Sequence, residues 1–151
     1  EGYVRAMKEA GLDGHIRVTG NDFSVQNGYV ETRLLLNSSP RPTAIFALSN
    51  TIALGTFKAI KESGLKIPDD ISLISFDDNV YLDYMEPPVT RIIQPVEDMA
   101  KLSVRILLGK IEDRRLRCES ADSPGKDNSK SVLHLAPKLV RRDSVCVPFC
   151  D

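Results

Sequence analysis

Residues 71–76, "ISLISF", narrow the folds open to this chain more than any other stretch, because every side chain in the run is apolar or small. A strand with one face in water alternates apolar and polar residues, whereas a strand covered on both faces need not. The run therefore predicts a buried strand of a parallel sheet with helices on both sides.

The segments around it repeat one rhythm. Residues 1–12, "EGYVRAMKEAGL", set Tyr3, Ala6, Met7 and Ala10 at three- and four-residue spacing and stop at Gly11, as a helix with a glycine past its end does. That helix has no N-cap and is already running at residue 1, so the chain is expected to be cut from a longer protein. Residues 15–20, "HIRVTG", read as a short strand, 21–28 as a loop and 29–38 as a Leu-rich helix. A second unit follows: an apolar strand within 41–50, then a helix from Thr51 that places Ala53, Phe57 and Ile60 on one face and ends at Gly64. A proline turn leads into 71–76. Strands alternating with helices of this length predict an α/β fold with a parallel sheet flanked by helices.

Beyond a loop with two tyrosines, 89–95 reads as extended. Pro95 then opens a helix over 96–110, with Glu97 and Asp98 in its first turn and Lys110 in its last. Residues 117–131 are polar and rich in Gly, Pro and Ser, so a loop is expected there. Residues 132–144 read as two short returning strands broken at Pro137.

Composition excludes several classes of function. At 151 residues the chain is the size of one domain, with no apolar run long enough to span a bilayer and no signal sequence at its start; a soluble protein with no membrane partner is expected. The 20 Lys and Arg against 21 Asp and Glu form no basic block, so these residues alone lack the charge that neutralises nucleic-acid phosphates. Cys118, Cys146 and Cys150 are odd in number and late in the chain, which suits a reducing cytoplasm better than a disulfide framework. Cys146 and Cys150 with His134 fit no common zinc spacing and lack a fourth ligand, and no metal or other cofactor is expected.

In an open parallel sheet, ligands bind outside the carboxyl ends of the strands, where loops and helix N-termini leave polar groups facing a crevice. The residues after the expected strands are Asn21-Asp22-Phe23, Ser49-Asn50 and Asp77-Asp78-Asn79. Acids and amides that accept and donate, beside one aromatic face, suit a small polyhydroxyl or heterocyclic ligand. Catalysis fits less well. Adjacent residues at a strand end point to opposite faces, which makes Asp77 and Asp78 a poor acid/base pair. Each candidate also has a plainer role open to it: Phe23 as a core aromatic, Asn50 as the N-cap of the helix from Thr51, Asp78 and Asn79 as turn residues bonding their own backbone. Asp69 and Asp70 are expected to be structural turn residues. Two roles are open to Tyr81, Tyr84 and Met85, lining a partner surface or covering the core, and the partner surface is expected because an acid-flanked aromatic loop at a sheet edge is poor core material.

The strings "RPTAIFALSNTIALGTFKAIKESGLKIPDDISLISFDD" and "PPVTRIIQPVEDMAKLSVRILLGKI" resemble the effector-binding region of LacI/GalR-family transcriptional regulators. The likeness extends back through "NDFSVQNGY" and forward to "LAPKLVRRDS". It implies a type I periplasmic-binding-protein-like fold: two α/β lobes with a small effector between them, fused to an N-terminal helix-turn-helix that binds operator DNA as a homodimer. On this resemblance residues 1–94 are the C-terminal lobe, 95–116 a crossover helix belonging to the N-terminal lobe, 117–131 a polar loop, 132–144 returning strands and 145–151 a tail. The headpiece and most of the first lobe are expected to lie outside this chain.

The resemblance assigns ligand contacts to Phe23, Asn50, Asp77 and Gln94, the glutamine on the resemblance alone. It also assigns the helix 51–63 and the loop 80–88 to a dimer surface, and implies an uncovered apolar face on the crossover helix. The favoured effector is a sugar or sugar phosphate, with a nucleobase second. Thr51 stands where the family usually has Asp and Ser75 where glycine is common; the loop 117–131 and the ending "VCVPFCD" are longer than the family pattern. A periplasmic sugar-binding protein of a transporter is the alternative, and an α/β enzyme with Asp77 as base a third reading.

Overall fold

A computed structural model describes residues 1–119 and 132–147. Strands β1 (Ala44–Ala47), β2 (Ser72–Phe76), β3 (Thr90–Ile93) and β4 (Lys138–Val140) form one sheet in that order. The first three run parallel and β4 runs antiparallel to β3. Phe46 lies opposite Ile74, and Phe76 opposite Ile92. The three parallel strands therefore end along one edge.

Helices α1 (Gly2–Glu9), α2 (Val25–Leu36), α3 (Asn50–Glu62) and α4 (Val96–Glu119) complete the architecture. α3 lies against β1 and β2, and its Ala53 and Ile60 join Ile71, Leu73, Leu82 and Val89 in the buried core. α2 packs on α3 at a crossing that only glycine permits. A Cβ on Gly28 would lie 2.5 Å from the Ile52 carbonyl oxygen, and one on Gly55 would lie 2.0 Å from that of Val25. Within the same interface the buried Thr32 hydroxyl donates to Thr56 Oγ1 at 3.0 Å.

Four expectations need correction. Residues 16–20 form no strand; Thr19 Oγ1 bonds Glu31 of α2 and Arg17 bonds Ser38 just beyond it, so polar side chains anchor the segment to α2 in place of a backbone ladder. α2 begins at Val25, because Ser24 caps it by accepting from the Asn27 N–H at 3.0 Å. α4 continues through Glu119, past the expected end at Lys110 and into the expected loop, since residues 111–119 are mostly good helix formers without Gly or Pro. Residues 120–131 lie outside the described residues, as does Cys150. Of the two returning strands only β4 forms; the stretch before it makes no ladder and ends at Pro137, which has no N–H to donate.

Ser144, just past β4, is buried and joins β2 to β3: its hydroxyl donates to the Leu73 carbonyl at 2.6 Å and accepts from the Thr90 N–H at 2.8 Å. Its own carbonyl accepts from the Leu73 N–H at 2.8 Å. Cys146 continues this docking, its N–H donating to Ser72 Oγ at 3.2 Å and its thiol to the Pro68 carbonyl at 3.2 Å. On α4, by contrast, Val104, Leu107, Leu108 and Ile111 stay exposed.

Candidate ligand-binding site

Three strand-to-helix loops build the site. After β1, the buried Ser49 caps α3 by accepting from the Ile52 N–H at 3.1 Å, so Ser49, not Asn50, is the N-cap. Asn50 opens the helix, half-buried, and its carbonyl accepts from the Tyr81 hydroxyl at 2.6 Å. Thr51 Oγ1 donates to the Phe23 carbonyl at 2.5 Å, which fastens the loop before α2 to the start of α3.

After β2, the Asp77 N–H donates to the Ile92 carbonyl at 2.9 Å, extending the β2–β3 pairing by one residue. The chain then turns sharply, with Asp77 in the left-handed region at φ 72°. An L-residue resists that conformation by about 1–2 kcal/mol and keeps it where its surroundings over-determine it. The turn gives the two neighbouring carboxylates different partners. Asp77 Oδ1 accepts from Gln94 Nε2 at 2.5 Å, while Asp78 Oδ1 accepts from Arg91 Nε at 2.5 Å.

Asn50, Asp77 and Gln94 line one cavity of about 610 Å³, together with Asp78, Glu97 and Asp98. Three of the four expected ligand contacts thus converge. Phe23 is 66% exposed and outside that lining, which also rules out its role as a core aromatic. Asp78 departs from the expected turn role by bonding Arg91 in place of its own backbone. Asn79 keeps that role, accepting from the Tyr81 N–H at 3.3 Å, and Asp70 accepts from the Lys66 N–H at 2.7 Å as a structural turn residue.

The tyrosine loop differs from a simple partner surface. A short 3-10 turn, Val80–Asp83, folds it back over the sheet and buries Leu82 completely. Tyr81 and Met85 consequently pack against the core, and burial raises the Tyr81 hydroxyl pKa above its ordinary value. Tyr84 alone of the three lies open, at 82% exposure.

Sequence reasoning missed Glu97 and Asp98 as rim residues, although their position in the first turn of a helix starting just after Gln94-Pro95 carried the signal. It also missed Arg91, which is only 5% exposed. Besides Asp78, Arg91 binds Asp83 through Nη1 at 2.9 Å and Nη2 at 2.7 Å, and Arg142 Nε adds a bond to Asp83 at 2.8 Å. Arg91 first, and then Arg142, hold the Asp83 carboxyl well below the usual carboxylate range. Asp83 in turn raises the Arg91 guanidinium above its ordinary value.

Carboxylate and amide groups at the ends of consecutive parallel strands define a class of protein, the α/β domains that bind a small polar ligand at the sheet edge. The family profile of the periplasmic binding protein-like domain matches residues 1–145. The ribose operon repressor of Haemophilus influenzae is 39% identical over 147 residues, covering 96% of this chain and 40% of that protein. The HTH-type transcriptional repressor PurR of Vibrio atlanticus is 33% identical over 146 residues, covering 95% and 40%. Among solved structures, the transcriptional regulator CelR in complex with cellobiose matches with a TM-score of 0.78 at 28% identity, over 95% of this chain and 40% of that one. A LacI family regulator from Enterococcus faecium with bound ribose matches with a TM-score of 0.73 at 28% identity, over 96% and 49%. This chain belongs to the periplasmic binding protein-like family, in its LacI/GalR branch. It spans about 40% of the length of these curated relatives. No helix among the described residues is long and apolar enough to cross a membrane.

Proposed function

We propose that this chain is the effector-sensing part of a cytoplasmic transcriptional regulator, not an enzyme, which binds a small sugar at the strand ends and passes its presence to operator DNA. The observation that carries this reading is the convergence of Asn50, Asp77 and Gln94, from the ends of three parallel strands, on one cavity. Ribose and cellobiose in the two matched regulator structures support a sugar as ligand. Asp77 accepts from ligand hydroxyls, Asn50 and Gln94 accept and donate, and Phe23, whose loop Thr51 ties to α3, covers the ring when the cleft closes.

In this reading residues 1–94 are the C-terminal lobe, α4 crosses to a second lobe and 132–144 return. The exposed Val104, Leu107, Leu108 and Ile111 on α4 fit a helix whose apolar face belongs against that second lobe. Ligand favours the closed arrangement by its differential affinity for the two states. A homodimer formed through α3 and the loop 80–88, with Tyr84 as its open aromatic, carries the change to an N-terminal helix-turn-helix.

Fluorescence anisotropy of an operator fragment with the protein at its full natural length tests the proposal. D-ribose is expected to change operator affinity by about 5- to 150-fold, the usual range of allosteric coupling. A protein that carries a cleaved signal peptide and binds no DNA would instead be the sugar-binding component of a transporter.

A further inference from the structure

Among the described residues Arg91 is the one buried cation; it lies outside the cavity lining and reaches it only through Asp78. Its side chain leaves β3 opposite Ser75 and clamps the loop after β2 at two points: Asp78 through Nε at 2.5 Å, and Asp83 through Nη1 at 2.9 Å and Nη2 at 2.7 Å. Asp77, which bonds Gln94 at the cavity, is the residue immediately before the clamped Asp78 and stands in the left-handed conformation at φ 72°. A non-glycine residue keeps that conformation only where neighbours fix it, and a two-pronged guanidinium–carboxylate pair fixes geometry as well as charge. Two adjacent ionised carboxylates at one rim also repel each other, which a cation bound to one of them relieves.

We propose that Arg91 is a positioning residue for ligand binding: by holding Asp78 and Asp83 it sorts the two neighbouring carboxylates, keeping Asp78 structural and Asp77 turned to Gln94 and the ligand. This rests on the reading of the cavity as the ligand site. Lysine does not replace the arginine, because one ammonium does not span Asp78 and both oxygens of Asp83. Arg142 is the natural comparison, since it binds Asp83 at 2.8 Å but makes no bond to Asp78.

The test uses R91M, R91K, R142M and D77N in the protein at its full natural length, with two readouts: the D-ribose dissociation constant by calorimetry, and hydrogen exchange of the Asp77 amide without ligand. R91M is expected to weaken ribose by about tenfold or more and R91K by about threefold or more, while R142M stays within about twofold of wild type. The Asp77 amide, which donates to Ile92, should exchange faster in R91M than in R142M. If R91M does not fold, R91K carries the test. Wild-type ribose affinity in the Arg91 variants beside a weakened D77N would overturn the assignment to Arg91, as would equal losses in R91K and R142M. D77N with undiminished ribose binding would overturn the site reading itself. Should ribose give no heat with wild type, the exchange decides: an Asp77 amide unaffected by R91M or R91K overturns the proposal, and selective acceleration supports it.

Discussion

Gln94 Nε2 donates to Asp77 Oδ1 at 2.5 Å, joining the residue after β3 to the residue after β2 across the mouth of the cavity. Gln94→Leu removes that donor at a half-buried position, where one hydrogen bond contributes about 0.5–1.5 kcal/mol. Thermal unfolding of the variant should shift little, while calorimetry should show ribose affinity reduced by about two- to tenfold.

The α2–α3 crossing makes a sharper prediction. A methyl at Gly55 would sit 2.0 Å from the Val25 carbonyl oxygen and 2.7 Å from the Tyr29 nitrogen, both backbone atoms. Gly55→Ala must therefore move the helices apart, loosening the buried Thr32–Thr56 hydrogen bond. Urea unfolding should show a loss of about 1–3 kcal/mol, although alanine favours the helix itself.

Ser144 holds β2 and β3 together through one hydroxyl that donates to Leu73 and accepts from Thr90. Ser144→Ala strands a buried carbonyl and a buried N–H. The expected cost is about 1–3 kcal/mol in urea unfolding, read without any ligand.

The Asp83 carboxyl lies below its ordinary range because Arg91 and Arg142 favour its ionised form. Its contribution to stability is therefore complete above the unfolded carboxylate value of about 3.9 and is lost as pH falls through and below that value. The urea midpoint should drop steeply below about pH 4 in wild type. Asp83→Asn should start from a lower midpoint at neutral pH and show a shallower acid limb.

Much of the fold was legible because burial leaves a mark in composition. Residues 71–76 read as a doubly covered strand and became β2 and its flank, and the apolar run at 44–47 became β1; Asn50 and Asp77 came from asking what stands after each strand, whereas Gln94 came from the family resemblance alone and Phe23 from a strand that does not form. Local chemistry limited the rest. Residues 15–20 have strand-like composition, yet a strand needs a ladder partner, and side chains bonded to Glu31 and Ser38 anchor this segment instead. Ser49 and Asn50 are both good caps, and only the backbone geometry selects Ser49. The Arg91 network joins residues 78, 83, 91 and 142, separations that no local pattern encodes. Tyr81 and Met85 read as surface because the folding-back of their loop depends on Leu82 finding the core.

Ligand binding at the Asp77 rim is tested most directly by calorimetric titration of the protein at its full natural length with D-ribose, cellobiose, ribose 5-phosphate and hypoxanthine, repeated on Asp77→Ala. One of the sugars should bind the wild type, and Asp77→Ala should lose about tenfold or more of that affinity while unfolding at nearly the same temperature. Equal affinity in the two proteins, or no binding of any of the four compounds to wild type, would contradict it.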